Sequence, residues 1–284
     1  MQEHGSDRRH RFYCDGFLSP VAAFGSEEAA DWLRRLEMVE ARMAGRLPPA
    51  FNAKPHLLLP WLWDIVQDRR ILDPVEELLG PDILCYGTSF IIKRPGDERF
   101  VSWHQDATYW GLSSPEAVTA WIALTPSDPE SGCVRVVPGT HRQQLDHADT
   151  RDPRNLLGRR EKVLFDVDPA MAVDMFLEPG QMSLHHVLVI HGSEVNSSRD
   201  RRVGFAVRFI PSHLRPRDGL RVSATLARGR DLGHFEAERR PEADFHPDAV
   251  ALHARIFRQS MGVIFAGAER PARPGAVGPH RDGD

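Results

Sequence analysis

A His and a carboxylate two residues apart on a β-strand point to the same face, so a His-x-Asp or His-x-Glu pair can aim two metal ligands at one point. One further His completes a two-His, one-carboxylate set, which leaves coordination positions open for substrate and O2. The 284-residue chain carries 14 His and 40 acidic residues, so chance supplies about two such pairs. Five occur: His104-Asp106, His147-Asp149, His234-Glu236, His246-Asp248 and His280-Asp282. Context separates them. His280 lies in a ragged tail, His246 precedes Pro247 at a helix entry, and His147 falls in a polar connection that gives a metal little support. Only His104-Asp106 follows a strand pattern, with the aromatic runs FVSW before it and TYWGL after it to wall off a dry pocket.

The second His must come from a distant strand. His191 closes the apolar run SLHHVLVI and is followed by Gly-Ser, which permits close approach of another molecule, while His185 and His186 are rivals in the same run. Eleven residues later, Arg202 opens RVGFAVRFIP. In that strand Arg202, Gly204, Ala206 and Arg208 share one face, and Val203, Phe205, Val207 and Phe209 share the other. Small residues between two guanidinium groups suit a pocket floor that holds a dicarboxylate, its far end clamped by Arg202. The competing reading places both arginines in solvent on an edge strand.

The elements that must position these groups are legible in outline. Apolar residues at helical spacing predict a helix over Glu27–Arg46 and a second over Leu62–Leu79, restarted at Pro74 and ended by Gly80-Pro81. From Ile83 the pattern turns to β-branched and aromatic runs: ILCYGTSFIIK, RFVSWHQD, AVTAWIALT, CVRVVPG, KVLFDVD, MSLHHVLVIHG and RVGFAVRFIP. Seven short strands predict a mainly β sandwich or barrel of the jelly-roll, cupin-like kind. The polar stretch Asp146–Glu161 is expected to be a long connection over the mouth that orders only when substrate is present. A last helix is expected over Asp248–Met261, and residues about 272–284 are expected to be disordered.

Composition excludes several classes. The formal net charge is −4 with both signs scattered along the chain, which offers no electrostatic footprint for nucleic acid. Three cysteines without CxxC spacing argue against a disulfide framework and fit a reducing, cytoplasmic setting. No stretch has the length of a signal peptide's apolar core or of a membrane span. A single domain over 1–284 is expected, its β core at about 83–211.

The runs WHQDATYWGL, TAWIALTPSDPESGCVRVVPGTH and MSLHHVLVIHGSEVNSSRDRRVGFAVRFIP, in this order, resemble the phytanoyl-CoA dioxygenase family of Fe(II)/2-oxoglutarate-dependent oxygenases, over about Phe12 to Pro211. The resemblance implies a double-stranded β-helix and an O2-consuming hydroxylase. It implies iron on His104, Asp106 and His191, and 2-oxoglutarate anchored by Arg202 with help from Ser193, Trp121 and, more weakly, Lys93. Related halogenases replace the ligand carboxylate with a small residue; Asp106 is present, which favours oxygen insertion. The expected substrate is a small polar molecule, with Gln105, Tyr109, Trp110, Arg99, Arg208 and Asn196 as candidate contacts. Its run HQDATYWGL resembles hydroxylases of small organophosphonates, and natural-product tailoring enzymes are similar there too. A metal-binding jelly roll without oxygenase activity, or one that isomerises or hydrolyses, remains an alternative. Oligomeric state is left open.

Overall fold

The computed structural model describes residues 5–45, 47–217 and 220–264. Its core is a large sheet facing a small one. Along the chain come helix α1 (Gly5–Asp15), strand β1 (Phe17–Ala22), helices α2 (Ser26–Arg42), α3 (Pro60–Val66) and α4 (Arg69–Leu79), then strands β2 (Ile83–Lys93) and β3 (Val101–His104). A four-residue turn of helix, α5 (Ala107–Trp110), leads to β4 (Val118–Ala123), β5 (Arg135–Val137), β6 (His147–Asp149), β7 (Glu161–Val163) and β8 (Val173–Asp174). The chain continues through β9 (Gln181–His186), β10 (Ile190–Ser193), β11 (Arg202–Pro211), β12 (Ser223–Arg228), β13 (Glu236–Ala237) and α6 (Pro247–Ile264). The large sheet has the order β1-β9-β4-β11-β2-β12-β13, and the small one β3-β10-β5-β8. This is the expected mainly β jelly roll.

Period-two alternation divides the large sheet into two faces. Val203, Phe205, Val207 and Phe209 of β11 join Val118, Ala120 and Ile122 of β4 and Met182 and Leu184 of β9 in the main core, against Phe12, Leu36, Val39 and Ile71 of the helices. The opposite face looks toward the small sheet, where Trp121, Ala123 and Ala206 pack with Val134, Val136 and Val189. The candidate site lies between the sheets.

Several expectations are corrected. The helix expected over Glu27–Arg46 begins at Ser26, where Glu28 accepts the Gly25 N–H at 3.1 Å, and it ends at Arg42. The second expected helix is two, broken at Gln67-Asp68 because Asp68 accepts the Arg70 N–H and caps a new start; Pro74 is carried inside α4. MSLHHVLVIHG holds two strands in different sheets, with the turn after His186 closed by Val189 N–H donating to His186 O. Asp146–Glu161 is a folded connection: β6 pairs with β7, and Phe100 N–H donates to Arg154 O while Leu156 N–H donates to Phe100 O. These bonds give the connection internal support of its own. The helix expected at Asp248–Met261 spans Pro247–Ile264. The tail expected to be disordered, with His280 and Asp282, lies outside the described residues.

Candidate metal centre and cosubstrate pocket

Antiparallel pairing of β3 with β10 sets His104 opposite His191. Their ring centroids are 4.1 Å apart. Asp106, just past the end of β3, brings its Oδ1 to 3.5 Å from His104 Nε2. One ligand atom from each of the three lies within 4.8 Å of the others, the one such cluster among the described residues. The tautomers are set by backbone: His104 Nδ1 bonds to Ser102 O at 2.9 Å and His191 Nδ1 to Val189 O at 3.0 Å, which turns each Nε2 inward. Thr119 Oγ1 donates to Asp106 Oδ2 at 3.3 Å.

Electrostatics suit a cation. Burial, then the neighbouring His104 and His185, holds His191 well below its ordinary range, so its ring is neutral near pH 7. Burial pushes the Asp106 carboxyl up, but the His104 hydrogen bond and the nearby Arg208 guanidinium outweigh it and hold it well below the carboxylate range. Imidazole nitrogens beside an ionised carboxylate are a donor set that suits a divalent metal.

Strand register orders the cavity floor. Arg202 lies opposite Lys93, Ala206 opposite Trp121 and Arg208 opposite Thr119. The anchor end at Arg202 and the Asp106 end at Thr119 are therefore separated by the small residues Gly204 and Ala206. A Cβ on Gly204 would stand 1.9 Å from Trp121 Cζ2, so the glycine makes room for the indole. A cavity of about 1030 Å³ joins these groups and is lined by His104, Asp106, His185, His191, Ser193 and Arg202 among others.

Arg202 is fully buried at 0% exposure, with no carboxylate partner among the described residues. Its Nη1 donates to Gly132 O, while Nε and Nη2 are buried and unpaired, as is Trp121 Nε1. Burial draws its pKa down to about 10, which leaves it charged at neutral pH. Buried donors without acceptors are costly. A carboxylate arriving from the cavity satisfies them, so the residues present fit a dicarboxylate cosubstrate.

Other candidates divide. Ser193 lines the cavity, and its Oγ accepts from Lys93 Nζ at 2.7 Å, freeing its own proton for an anion. Lys93 does not reach the cavity; its ammonium is spent on Ser193 and Glu194 O, and it acts through Ser193. Arg99 lines the cavity but is paired to Asp97. Arg208 lines it too, donates to Ser89 Oγ at 3.0 Å, and forms no ion pair among the described residues. Tyr109 and Trp110 face a second, smaller cavity instead.

Gln105 and Asn196 are corrected outright. Gln105 is fully buried, its Nε2 donating to Gln143 O and Leu188 O and its Oε1 accepting from Leu145 N–H, so no group is left for a substrate. Asn196 donates to Lys93 O at the end of β2 and to Asp200 O, and accepts from Ser198 in its own loop. Sequence reasoning also passed over His147, whose Nε2 accepts the Gln105 N–H at 3.0 Å behind the site. It missed the buried network in which Lys54 and His56 meet Glu238, since nothing in the spacing joins residues 182 positions apart.

A jelly roll that holds two histidines and a carboxylate beside a buried guanidinium places the protein in the class of non-haem iron dioxygenases that consume 2-oxoglutarate. Comparison agrees: the phytanoyl-CoA dioxygenase (PhyH) family matches residues 12–204, and the chain belongs to that family. It is 27% identical over 225 residues to the probable alpha-ketoglutarate-dependent hypophosphite dioxygenase of Stutzerimonas stutzeri, covering 70% of this chain and 77% of that one. Against the peroxisomal phytanoyl-CoA dioxygenase of Bos taurus it is 33% identical over 145 residues, which is 49% of this chain and 43% of the bovine one. The solved structure of the non-heme monooxygenase ThoJ superposes with a TM-score of 0.82 at 34% identity, covering 92% of this chain and 98% of ThoJ. Fe(II), 2-oxoglutarate and O2 are the chain's cofactor and cosubstrates. No helix among the described residues is long and apolar enough to cross a membrane.

Proposed function

We propose that the chain hydroxylates an aliphatic carbon of a small polar molecule, an organophosphonate in the finer reading, with iron held by His104, Asp106 and His191 and 2-oxoglutarate anchored by Arg202. The observation that carries this is the buried Arg202, whose two unpaired guanidinium nitrogens stand at the end of the cavity remote from Asp106. Iron and 2-oxoglutarate together supply the oxidising power for aliphatic hydroxylation, with succinate and CO2 as by-products.

The chain's own residues bind and orient. Backbone carbonyls at Nδ1 of His104 and His191 turn each Nε2 toward the centre, where it would hold the metal. Thr119 fixes the free oxygen of Asp106. Arg202, with Nε and Nη2 unpaired, would hold the distal carboxylate, and the Ser193 hydroxyl lines the same cavity as a further donor. Trp121 walls that end from water. Arg208, at the opposite end of the same strand face, meets an anionic group of the substrate. The likeness to a protein named for hypophosphite, itself a small phosphorus oxyanion, supports that charge preference.

The test is succinate formation from 2-oxoglutarate with 2-aminoethylphosphonate, with and without Fe(II). Iron-dependent succinate release, raised by the phosphonate and reduced to background in Asp106→Ala, is the expected result. Succinate release that ignores Fe(II) contradicts the oxygenase reading; iron-dependent release that the phosphonate leaves unchanged removes the organophosphonate alone.

A further inference from the structure

The second cavity begins where the first one ends. It has a volume of about 280 Å³, and both cavities share Asn52, Asp106, Leu157 and Arg208. It therefore opens on the proposed metal site at the side away from Arg202. At ~30 Å³ per water in the liquid, it holds a body of about ten non-hydrogen atoms.

Its walls come from three parts of the chain. Tyr86 and Trp110, with ring centroids 5.8 Å apart, form an aromatic side with Tyr109. Ile256, Gln259, Ser260 and Val263 of α6 form the facing side. That helix, and the strands β12 and β13 that precede it, lie beyond the 12–204 segment matched by the family. This wall therefore stands outside the family-matched segment. Beneath it, Lys54 is held by Glu238 Oε1 and Ser223 O, and Glu238 in turn accepts from Ser223, Thr225 and His56. The base is a fully bonded polar network and presents a rigid floor.

Charge selects the occupant. Aromatic walls alone would suit a cation. Here Arg208 lines the cavity with no ion-pair partner among the described residues, Lys54 is already neutralised by Glu238, and the Asp106 charge belongs to the proposed metal site. A substrate cation would meet an uncompensated guanidinium. The α6 wall adds an acceptor: Gln259 Oε1 is buried without a partner among the described residues, which suits an N–H or O–H on the body of the substrate, while the Ser260 hydroxyl donates to Ile256 O at 3.0 Å.

Building on the oxygenase reading, we propose that this second cavity is the substrate chamber, that Arg208 makes it select a small oxyanion, and that Gln259 and Ser260 of α6 bound the flat or compact apolar body of that substrate. The oxyanion sits on Arg208, the apolar body lies between Tyr86, Trp110 and the α6 side chains, and the target carbon is presented past Asp106.

Benzoate, benzamide and benzamidinium share one shape and differ in charge, which makes them direct probes. Their binding to the iron- and 2-oxoglutarate-loaded protein, kept free of oxygen, is measured by calorimetry. Benzoate should bind about tenfold or more tighter than benzamide, the usual scale of a charge-assisted bond, and benzamidinium should bind weakest. Arg208→Met should erase the benzoate preference. Ser260→Trp should abolish benzoate binding while 2-oxoglutarate affinity stays unchanged. Gln259→Glu, an isosteric change with little folding risk, should weaken benzoate and strengthen benzamidinium. Benzamidinium binding as tightly as benzoate in the wild type, no probe binding at all, or full benzoate affinity in Ser260→Trp overturns the proposal. Failure of the wild type to bind 2-oxoglutarate strikes the oxygenase reading instead, so the two failures are told apart.

Discussion

Three side chains converge because their backbones leave them no alternative. His104 and His191 are each tied at Nδ1 to a carbonyl two residues earlier, and Asp106 is held by Thr119. Arg202 is held differently: one nitrogen bonds to Gly132 O and two wait for an acceptor. Replacing Arg202 with Ala should therefore weaken 2-oxoglutarate binding by roughly 30-fold or more, since truncating one partner of a buried charged contact costs at least about 2 kcal/mol. Iron titration of the same variant should match the wild type; an equal loss of iron affinity would show that Arg202 merely supports the fold. At this scale the sequence discloses residue types that bind metal, because His-x-Asp on a strand has few other uses among aromatic neighbours. It cannot disclose how an amide is spent. Gln105 and Asn196 have the composition of substrate contacts, yet every group is consumed by carbonyls and amides of loops whose positions only the folded chain defines.

The strand β11 carries both the core and the pocket on alternate residues, and its pocket face works only with small side chains. Gly204→Ala would push a methyl into Trp121, whose Cζ2 lies 1.9 Å from the ideal Cβ position. The variant should lose about 1–3 kcal/mol of stability, the usual cost of overpacking, and should bind 2-oxoglutarate more weakly as the indole shifts. Urea unfolding and a cosubstrate titration check both; wild-type values in both would mean that the indole has other room. Alternation of this kind was readable from RVGFAVRFIP alone. The corner between β9 and β10 was not, because an unbroken β-branched run looks the same whether it stays in one sheet or crosses to another. The connection between His147 and Glu161 carries more internal bonding than its polarity suggests. Asn155 is buried, with its Nδ2 donating to Ser102 Oγ at 2.9 Å, and the neighbouring amides bond to Phe100. Hydrogen exchange at Leu156 should be slow and insensitive to added substrate; fast exchange that slows only on substrate addition would restore the lid.

At the scale of the molecule, several buried or half-buried histidines make stability depend on pH. Burial is the first cause for His147, His185 and His186, each drawn from 6.5 to about 4. The folded state refuses protons that the unfolded chain accepts, so their contribution is present above 6.5 and is lost as pH falls toward 4. Metal-free protein should melt at progressively lower temperature from about pH 6.5 down to 4; a flat profile across that window would mean these rings are hydrated. The large features, a jelly roll behind helices, followed from strand counts and turn signals. The edge strand β1 and the late strands β12 and β13 did not, since FLSPVA carries a proline and the segment after Pro211 has few apolar pairs. What unites the whole is one claim: iron on His104, Asp106 and His191, with 2-oxoglutarate reaching back to Arg202. Crystals of the iron- and 2-oxoglutarate-loaded protein, grown without oxygen and measured at the iron absorption edge, test it most directly. A single anomalous peak about 2.0–2.2 Å from His104 Nε2, His191 Nε2 and an Asp106 oxygen, with the distal carboxylate on Arg202, is the predicted result; iron on any other group, or a cosubstrate that leaves Arg202 unpaired, would contradict it.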